Sequence, residues 1–207
     1  MTLYALKPRF QDWLRPLVTF LSRFGMTANQ ITVAAAVGSV LVGAVTTWFG
    51  ARRSVFLIIP VWLFVRMALN AIDGMLAREF DQKSVLGAYL NEIGDVVSDA
   101  ALYIPFAFIA PFGPLGIALV IVLATMTELA GVLGLSIGAS RRYDGPMGKS
   151  DRAAVFGALA LWVGASAPIP PWFGSIVPIV AVLLVLTVVN RIRAGIGEVE
   201  TAASVPC

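Results

Sequence analysis

Residues 70–95 read NAIDGMLAREFDQKSVLGAYLNEIGD. This stretch places acids and amides in two otherwise apolar segments, residues 55–77 and 86–109, and an arginine, Arg78, directly after the first. Ionisable side chains inside apolar segments of membrane-spanning length are costly and indicate a functional site. The stretch therefore predicts a membrane-embedded pair of helices and marks the part of the chain where function should be sought.

The composition of the whole chain agrees with a membrane protein. Of its 207 residues, 58% are hydrophobic and 13% are charged, and the mean hydropathy is +0.86. Soluble domains contain roughly 45–50% apolar and about 25% charged residues, so a soluble globule is excluded, as is intrinsic disorder. The net charge of +3 is too small to indicate nucleic-acid binding.

The scarcity of cysteine and histidine limits the possible chemistry. The chain has one cysteine, at its last position, and no histidine. A disulfide framework is therefore excluded. Any divalent metal site must use oxygen ligands, which favours Mg²⁺, Mn²⁺ or Ca²⁺ over zinc or copper.

Six apolar segments predict an all-α integral membrane protein with six transmembrane helices, since a span needs about 20 mostly apolar residues. The segments are residues 28–49, 55–77, 86–109, 115–139, 153–167 and 176–189, of which the fifth is short. The predicted transmembrane domain covers residues 25–195. Residues 196–207 are polar, and we expect a flexible tail there.

The first 24 residues are too polar to span a membrane. Their apolar side chains recur at helical spacing, and four basic residues fill positions between them. This pattern predicts an amphipathic helix at residues 1–24 that lies in the lipid headgroup layer. The alternative, a cleaved signal peptide, would need an uninterrupted apolar region and a small-residue cleavage site, and both are missing.

Basic residues predict the orientation of the six spans. Twelve Lys and Arg residues fall on one side of the membrane in this arrangement, and only Arg52 and Arg53 fall on the other. Because basic loops stay cytoplasmic, we expect both termini to be cytoplasmic.

Two polar strips face each other at the cytoplasmic ends of the second and third spans, since steps of three and four residues share a helix face. The strips consist of Asn70, Asp73 and Ala77 on one helix and Gly87, Asn91, Asp95 and Asp99 on the next. The loop between them has fewer than about ten residues, so we expect the helices to be adjacent and antiparallel.

The residue types in these strips predict phosphoryl-type transfer. Clustered carboxylates in low dielectric repel each other, and a divalent cation relieves that repulsion. Arg78 offers a planar fork suited to phosphate, and small residues at 74, 77 and 87 leave room for a bulky ligand. The alternative is hydrogen bonding between helices, which rarely needs three aspartates on two faces.

The spacing of these residues resembles the CDP-alcohol phosphatidyltransferases, whose pattern is D-x-x-D-G-x-x-A-R-x8-G-x3-D-x3-D. Here Asn70, Asp73, Gly74, Ala77, Arg78, Gly87, Asn91 and Asp95 occupy its defined positions. The resemblance extends to the six spans and the amphipathic N-terminal helix. Residues 66–70, 87–95 and 148–152 look most similar to the bacterial YnbA-like branch of that family.

The resemblance implies a membrane enzyme of phospholipid biosynthesis. A polar alcohol attacks the phosphorus next to the diacylglycerol oxygen of CDP-diacylglycerol, and CMP leaves. Asp73 would be a metal ligand, and Asp95 would be both ligand and catalytic base, with Mg²⁺ or Mn²⁺ as cofactor. The implied CDP-diacylglycerol site consists of Asn29, Gln30, Ile31, Thr32, Asp73, Gly74, Ala77, Arg78, Ser84 and Gly87.

The resemblance also implies a place in the cell and partners. It implies a multi-pass protein of the bacterial inner membrane, surrounded by membrane lipids, with its active site facing the cytoplasm and working as a homodimer. Relatives with a phosphorylated acceptor bind its phosphate through basic residues at the position of the fourth-to-fifth loop. The corresponding candidates here are Arg141, Arg142, Lys149 and Arg152, and the alternative is an ordinary solvated cytoplasmic loop.

Two positions depart from the family pattern. Asn70 and Asn91 stand where it has aspartate, and an amide oxygen can coordinate a metal but carries no charge. Four aspartates would balance two divalent ions, whereas Asp73 and Asp95 balance one. Asp99 or Glu92 could restore charge. As metal ligands we therefore predict Asp73, Asp95, Asn70 and Asn91.

Three further readings of the sequence stay open at this point. The donor could be a soluble CDP-alcohol with diacylglycerol as the acceptor, because the motif is shared by both reactions. The chain could instead bind nucleotide-lipid or metal without turnover. Within the bundle, we expect Arg66 to pair with Glu128 or Asp99, since an unpaired intramembrane charge is costly.

Overall fold

The computed structural model describes residues 3–204, with side chains from residue 10 onward. Within that part of the chain the structure is helical and contains no strand, which confirms the all-α class. The α-helices are α1 (Leu3–Arg23), α2 (Ala28–Trp48), α3 (Ile58–Glu79), α4 (Val85–Tyr103), α5 (Pro114–Ser136), α6 (Lys149–Gly164) and α7 (Ile176–Ala203). Short 3₁₀ helices at Arg53–Leu57, Ile104–Phe108 and Pro171–Ser175 adjoin α3, α4 and α7.

Four helical stretches in the described residues are long and apolar enough to cross a membrane. They are Ala28–Trp48, Arg53–Glu79, Pro114–Ser136 and Pro171–Ala203. The remaining predicted spans correspond to α4, which carries three acids, and to α6, which has 16 residues. The count of six spans therefore stays a prediction.

A glycine turn and a capping box connect α1 to α2. Gly25 has φ +76°, a conformation that favours glycine, and Met26 N–H donates to Leu21 O at 3.0 Å. Gln30 N–H donates to Thr27 Oγ1 at 3.2 Å, and Thr27 N–H donates to Gln30 Oε1 at 2.9 Å. The Thr-x-x-Gln pattern thus satisfies two amide groups at the start of α2.

The chain forms two compact units. The first contains α1, α2 up to Val42, α3 from Val61, and α4 up to Leu102. In this unit α1 packs through Leu14 and Val18 against a core completed by Ala28, Ile31, Ile72, Met75 and Leu76. Trp13, Phe20 and Phe24 of α1 and its C-terminal turn remain exposed. That distribution suits a helix against lipid, but its interfacial position stays a prediction.

The second unit contains the rest of the chain from Gly43 to Pro60 and from Tyr103 onward. Its core is aromatic at one end: Tyr103 stacks on Phe156 with ring centroids 3.8 Å apart, and Phe106 meets Phe56 edge-on at 5.3 Å. Here α7 continues to Ala203, past the expected start of a flexible tail at residue 196. Cys207 lies outside the described residues.

Candidate active site

Asp73 is the buried acid of the predicted nucleotide and metal site. It lies on α3 with 7% of its surface exposed. Thr32, in the first turns of α2, donates from Oγ1 to Asp73 Oδ2 at 2.8 Å. This hydrogen bond ties α2 to α3 at the predicted site.

Asn29, Ser84 and Gly87 meet at the start of α4. Asn29 Nδ2 lies 3.2 Å from Ser84 Oγ, and Gly87 N–H donates to Ser84 Oγ at 2.9 Å. A Cβ on Gly87 would lie 2.7 Å from Asn29 Oδ1, closer than side chains allow. Glycine is therefore required for this contact, and three residues predicted separately to bind the nucleotide come together.

Arg78 lies in the last turn of α3 and its side chain returns over Gly74. A Cβ at Gly74 would lie 3.1 Å from both terminal nitrogens of the Arg78 guanidinium. The fork is exposed, so it is accessible to a phosphate. The small residue at 74 thus makes room for the side chain of Arg78.

Arg66 joins α3 to α4 beside the predicted catalytic base. Its side chain is 4% exposed, and Nη1 donates to Asp99 Oδ1 at 2.6 Å. Nη2 donates to Asp95 Oδ1 at 3.1 Å and to the Asp95 main-chain oxygen at 3.3 Å. The prediction of Asp99 as a partner of Arg66 is confirmed, and Asp95 is a second partner that the sequence analysis did not anticipate.

Two residues of the predicted nucleotide segment have structural roles. Gln30 completes the capping box of α2, and Ile31 is buried in the core of the first unit at 5% exposure. Their neighbours Asn29 and Thr32 provide the polar contacts at the site. Contact of Gln30 or Ile31 with a nucleotide therefore stays a prediction without a geometric counterpart.

The second unit contains a separate charged cluster, which we name the Glu128 cluster: Glu128, Arg141, Arg152 and Arg191. Glu128 Oε1 accepts from Arg152 at 2.9 Å, and Oε2 lies 3.4 Å from Arg141 and 3.5 Å from Arg191. Arg152 also donates to Thr127 Oγ1 at 3.1 Å. Glu128 therefore pairs with arginines of its own unit, and the alternative expectation that Arg66 pairs with it is wrong.

The remaining candidates for acceptor binding flank this cluster. Arg142 forms two hydrogen bonds with Asp144, of 2.9 and 3.1 Å, and pairs with Glu198. Hydrogen bonding to Arg142 lowers the pKa of Asp144, which lies in the loop before α6. Lys149 is the first residue of α6. The loop is thus held by acids and is not simply a solvated basic segment.

The residues at 25–193 match the family model described as CDP-alcohol phosphatidyltransferase. The chain belongs to the CDP-alcohol phosphatidyltransferase family. It is also similar to the inner membrane protein YnbA of Escherichia coli (strain K12), with 46% identity over 197 residues, 94% of this chain and 96% of YnbA. The resemblance found in the sequence is therefore confirmed.

Solved structures share the fold of this family member. Phosphatidylinositol phosphate synthase from Mycobacterium tuberculosis, with CDP-DAG bound, has a TM-score of 0.69 and 20% identity over 93% of this chain and 96% of its own. The same enzyme in complex with manganese and citrate has a TM-score of 0.69 and 22% identity, covering 92% of this chain and 89% of its own.

The chemistry of the predicted donor set fits a divalent metal ion. Asp73, Asp95, Asn70 and Asn91 offer only oxygen atoms, as Mg²⁺ and Mn²⁺ prefer. No group of three acids, histidines or cysteines converges among the described residues. Asp73 and Asp95 are oriented by different partners, Thr32 and Arg66.

Arg191 is a buried charge whose role the sequence analysis missed. It was counted only as a cytoplasmic charge at the end of a span, yet it is 2% exposed and contacts both Glu128 and the main-chain oxygen of Thr127. The sequence signal for its burial was its position seven residues, about two helical turns, after Leu184, which puts it on the same buried face of α7.

Proposed function

We propose that this chain is a membrane phosphatidyltransferase that transfers a phosphatidyl group from CDP-diacylglycerol to a polar alcohol and releases CMP in phospholipid biosynthesis. Family membership supports this reaction class, and the relative solved with CDP-DAG bound supports the donor. The observation that carries the proposal is the meeting of Asn29, Ser84 and Gly87, three residues that the resemblance to the family implies for nucleotide binding.

The residues of the first unit divide the work of donor binding. Arg78 binds the diphosphate through its planar fork, and Asn29 and Ser84 hydrogen-bond the polar groups of the nucleotide. Thr32 and Asp73 keep α2 and α3 together beneath it. Gly87, with no side chain, leaves room for the Asn29 side chain beside α4.

A divalent ion would be held by Asp73 and Asp95, with Asn70 and Asn91 as neutral ligands. Mn²⁺ and Mg²⁺ are the candidates, and the relative solved with manganese supports the first. Such an ion stabilises the negative charge that develops on the phosphate oxygens.

Asp95 accepts the proton of the alcohol as its oxygen attacks. The new bond joins that oxygen to the phosphorus that carries the diacylglycerol group. The bond between this phosphorus and the oxygen shared with the second phosphate breaks, and that oxygen leaves as part of CMP. Because the chain has no histidine, a carboxylate is the suitable base among the residues of the site.

The proposed acceptor site is cationic. We assign the polar end of the acceptor to Arg141, Arg142, Lys149 and Arg152, because three arginines surround one carboxylate in the Glu128 cluster and leave it positive. A cationic site favours an acceptor that bears phosphate or carboxylate.

Turnover of defined substrates tests the proposal. Purified protein in lipid nanodiscs is given CDP-diacylglycerol, Mg²⁺ or Mn²⁺, and matched pairs of phosphorylated and unphosphorylated alcohols. CMP release and new lipids are followed by mass spectrometry. We expect metal-dependent CMP release with at least one acceptor, abolished in Asp73→Asn and retained in Asp12→Asn, whose carboxylate is on the surface.

Two specific outcomes would favour the alternatives. Turnover only with a CDP-alcohol and diacylglycerol would reverse the donor and acceptor roles. Tight binding of CDP-diacylglycerol without CMP release under any condition would favour a binding protein, a reading that the Arg66–Asp95 ion pair and the two asparagines support.

We further propose six spans in the bacterial inner membrane, cytoplasmic termini, an active site facing the cytoplasm, and a homodimer. Similarity to an inner membrane protein supports the location. Single-cysteine variants at Arg53 and Tyr143, made in a Cys207→Ser background, should label from the periplasm and the cytoplasm respectively. Labelling of position 143 from the periplasm would reverse the topology, and the mass of the purified protein in detergent would test the dimer.

A further inference from the structure

Arg66 is the buried cation nearest to the predicted base. It lies on α3 one turn before Asn70 and two turns before Asp73, on the same helix face. Its guanidinium binds two carboxylates of α4, Asp95 and Asp99, which are themselves one turn apart. One fixed positive charge is thus shared by two acids at the position where the family pattern would gather metal ions.

Charge counting gives this arrangement a consequence. Among the acids on the two polar strips, Asp73, Asp95 and Asp99 carry three negative charges, and Arg66 cancels one. The surplus of two negative charges matches a single divalent cation. Four aspartates in the motif would carry four negative charges, which suit two divalent ions. The two asparagines and Arg66 both lower the negative charge, and both therefore favour one ion over two.

We propose that Arg66 is a built-in cation that takes the place of a second metal ion, positions the Asp95 carboxylate, and restricts the site to one divalent ion. The inference rests on the proposed function and makes Arg66 a positioning residue for that reaction. Arginine suits this role because its guanidinium stays charged, is planar and can bind two carboxylates at once.

A purely structural role does not account for both contacts. Asp99 is nearly buried, and pairing with Arg66 at 2.6 Å would satisfy its charge. Arg66 also donates twice to Asp95, once to Oδ1 and once to the main-chain oxygen. These two bonds fix both the helix and the carboxylate orientation of a residue that the family motif assigns to chemistry.

Metal binding tests the proposal without requiring turnover. Detergent-solubilised full-length protein is titrated with Mn²⁺ by calorimetry, and bound ions are counted by electron paramagnetic resonance. We expect one ion per chain in the parent and in Arg66→Lys, which keeps the charge. In Arg66→Met we expect either a second ion or Mn²⁺ binding tightened about tenfold or more, since a repelling charge is removed.

A second pair of variants keeps the test decisive if Arg66→Met does not fold. Asp99→Asn alone lowers the negative surplus to one charge and should weaken Mn²⁺ binding. Removing the arginine as well, in Arg66→Met/Asp99→Asn, restores a surplus of two and should tighten binding by about tenfold relative to Asp99→Asn. Equal affinities in this pair, or one ion at unchanged affinity in folded Arg66→Met, would overturn the proposal.

Asp73→Asn separates this inference from the proposed function. If the parent binds one Mn²⁺ ion that is lost in Asp73→Asn, the metal site stands, and only the Arg66 comparison decides the inference. If the parent binds no Mn²⁺, or Asp73→Asn binds it as tightly as the parent, the metal site of the proposed function is wrong and the inference falls with it.

Discussion

Two groups of charged side chains in the helices have opposite composition. In the first unit, one guanidinium is shared by two carboxylates: Arg66 binds Asp95 and Asp99, and we name these three residues the Arg66 cluster. In the second unit, one carboxylate is surrounded by three guanidiniums in the Glu128 cluster. Each arrangement pairs charges that would be costly alone, but neither reaches neutrality.

The sign of the remaining charge separates their functions. The Arg66 cluster retains one negative charge, and Asp73 adds a second, so this region suits a divalent cation. The Glu128 cluster retains two positive charges, so it suits an anionic group. The opposite imbalances agree with the proposal of a metal at the first group and an anionic acceptor at the second.

The largest expected effect is on turnover at the Arg66 cluster. Asp95→Asn removes the proposed base while keeping the shape of the side chain, and a positioned base contributes about 10²–10⁴-fold to rate. We expect CMP release to fall by at least about a hundredfold, with the thermal unfolding midpoint monitored to confirm folding. Asp12→Asn is the matched control. An Asp95→Asn variant with full activity would remove the base assignment.

A comparable change in the Glu128 cluster should affect stability first. Glu128→Gln leaves Arg141, Arg152 and Arg191 without their shared anion, and breaking a buried ion pair costs about 3–5 kcal/mol. Denaturant unfolding in detergent measures the loss. Glu200→Gln, on the exposed end of α7, is the control. A loss below about 1 kcal/mol, the range of surface pairs, would show that the cluster is solvated.

Adding acids to the predicted metal site should tighten metal binding, with a smaller free-energy change than those of the two variants above. Each change in Asn70→Asp/Asn91→Asp adds one negative charge near the ion, while desolvation and repulsion from Asp73 and Asp95 offset part of the gain. We expect Mn²⁺ to bind about tenfold more tightly, which corresponds to ~1.4 kcal/mol. Calorimetric titration compares the two proteins. Equal affinity would mean that residues 70 and 91 do not face the metal.

The sequence predicted the elements of this fold better than the contacts between them. Apolar segments and breakers located the seven α-helices of the described residues, but α7 continues to Ala203, well beyond the predicted end of the sixth segment at residue 189. The Thr27–Gln30 capping box could also have been recognised from sequence, because its partners lie three residues apart. These features depend on residues that are close along the chain, so they can be predicted from a single sequence.

Pairing between helices was predicted only in part. Spacing shows that Arg66 needs a partner but cannot choose between Asp99 and Glu128, which lie on different helices, and the structure selects Asp99. The Thr32–Asp73 hydrogen bond joins residues 41 positions apart and had no local signal. The resemblance to the family brought both residues into the candidate site, yet only the packing of α2 on α3 explains their contact.

The smallest expected effect is a pH-dependent change in stability at Asp144, in the loop before α6. Hydrogen bonding to Arg142 lowers the pKa of Asp144 from its ordinary value of 3.8. A carboxyl group with a lowered pKa in the folded state stabilises the protein above that ordinary value, and the contribution is lost as pH falls through the folded-state pKa. Because the Asp144 side chain is 39% exposed, the contribution should stay below about 1 kcal/mol. Asp144→Asn should therefore reduce stability slightly at pH 6, and this difference from the parent should shrink as pH falls below 3.8. Thermal unfolding of both proteins across this range measures the change, with Asp12→Asn as control. If the stability difference between Asp144→Asn and the parent were the same at pH 3 as at pH 6, Asp144 would stabilise the loop through packing. Its charge would then not neutralise Arg142.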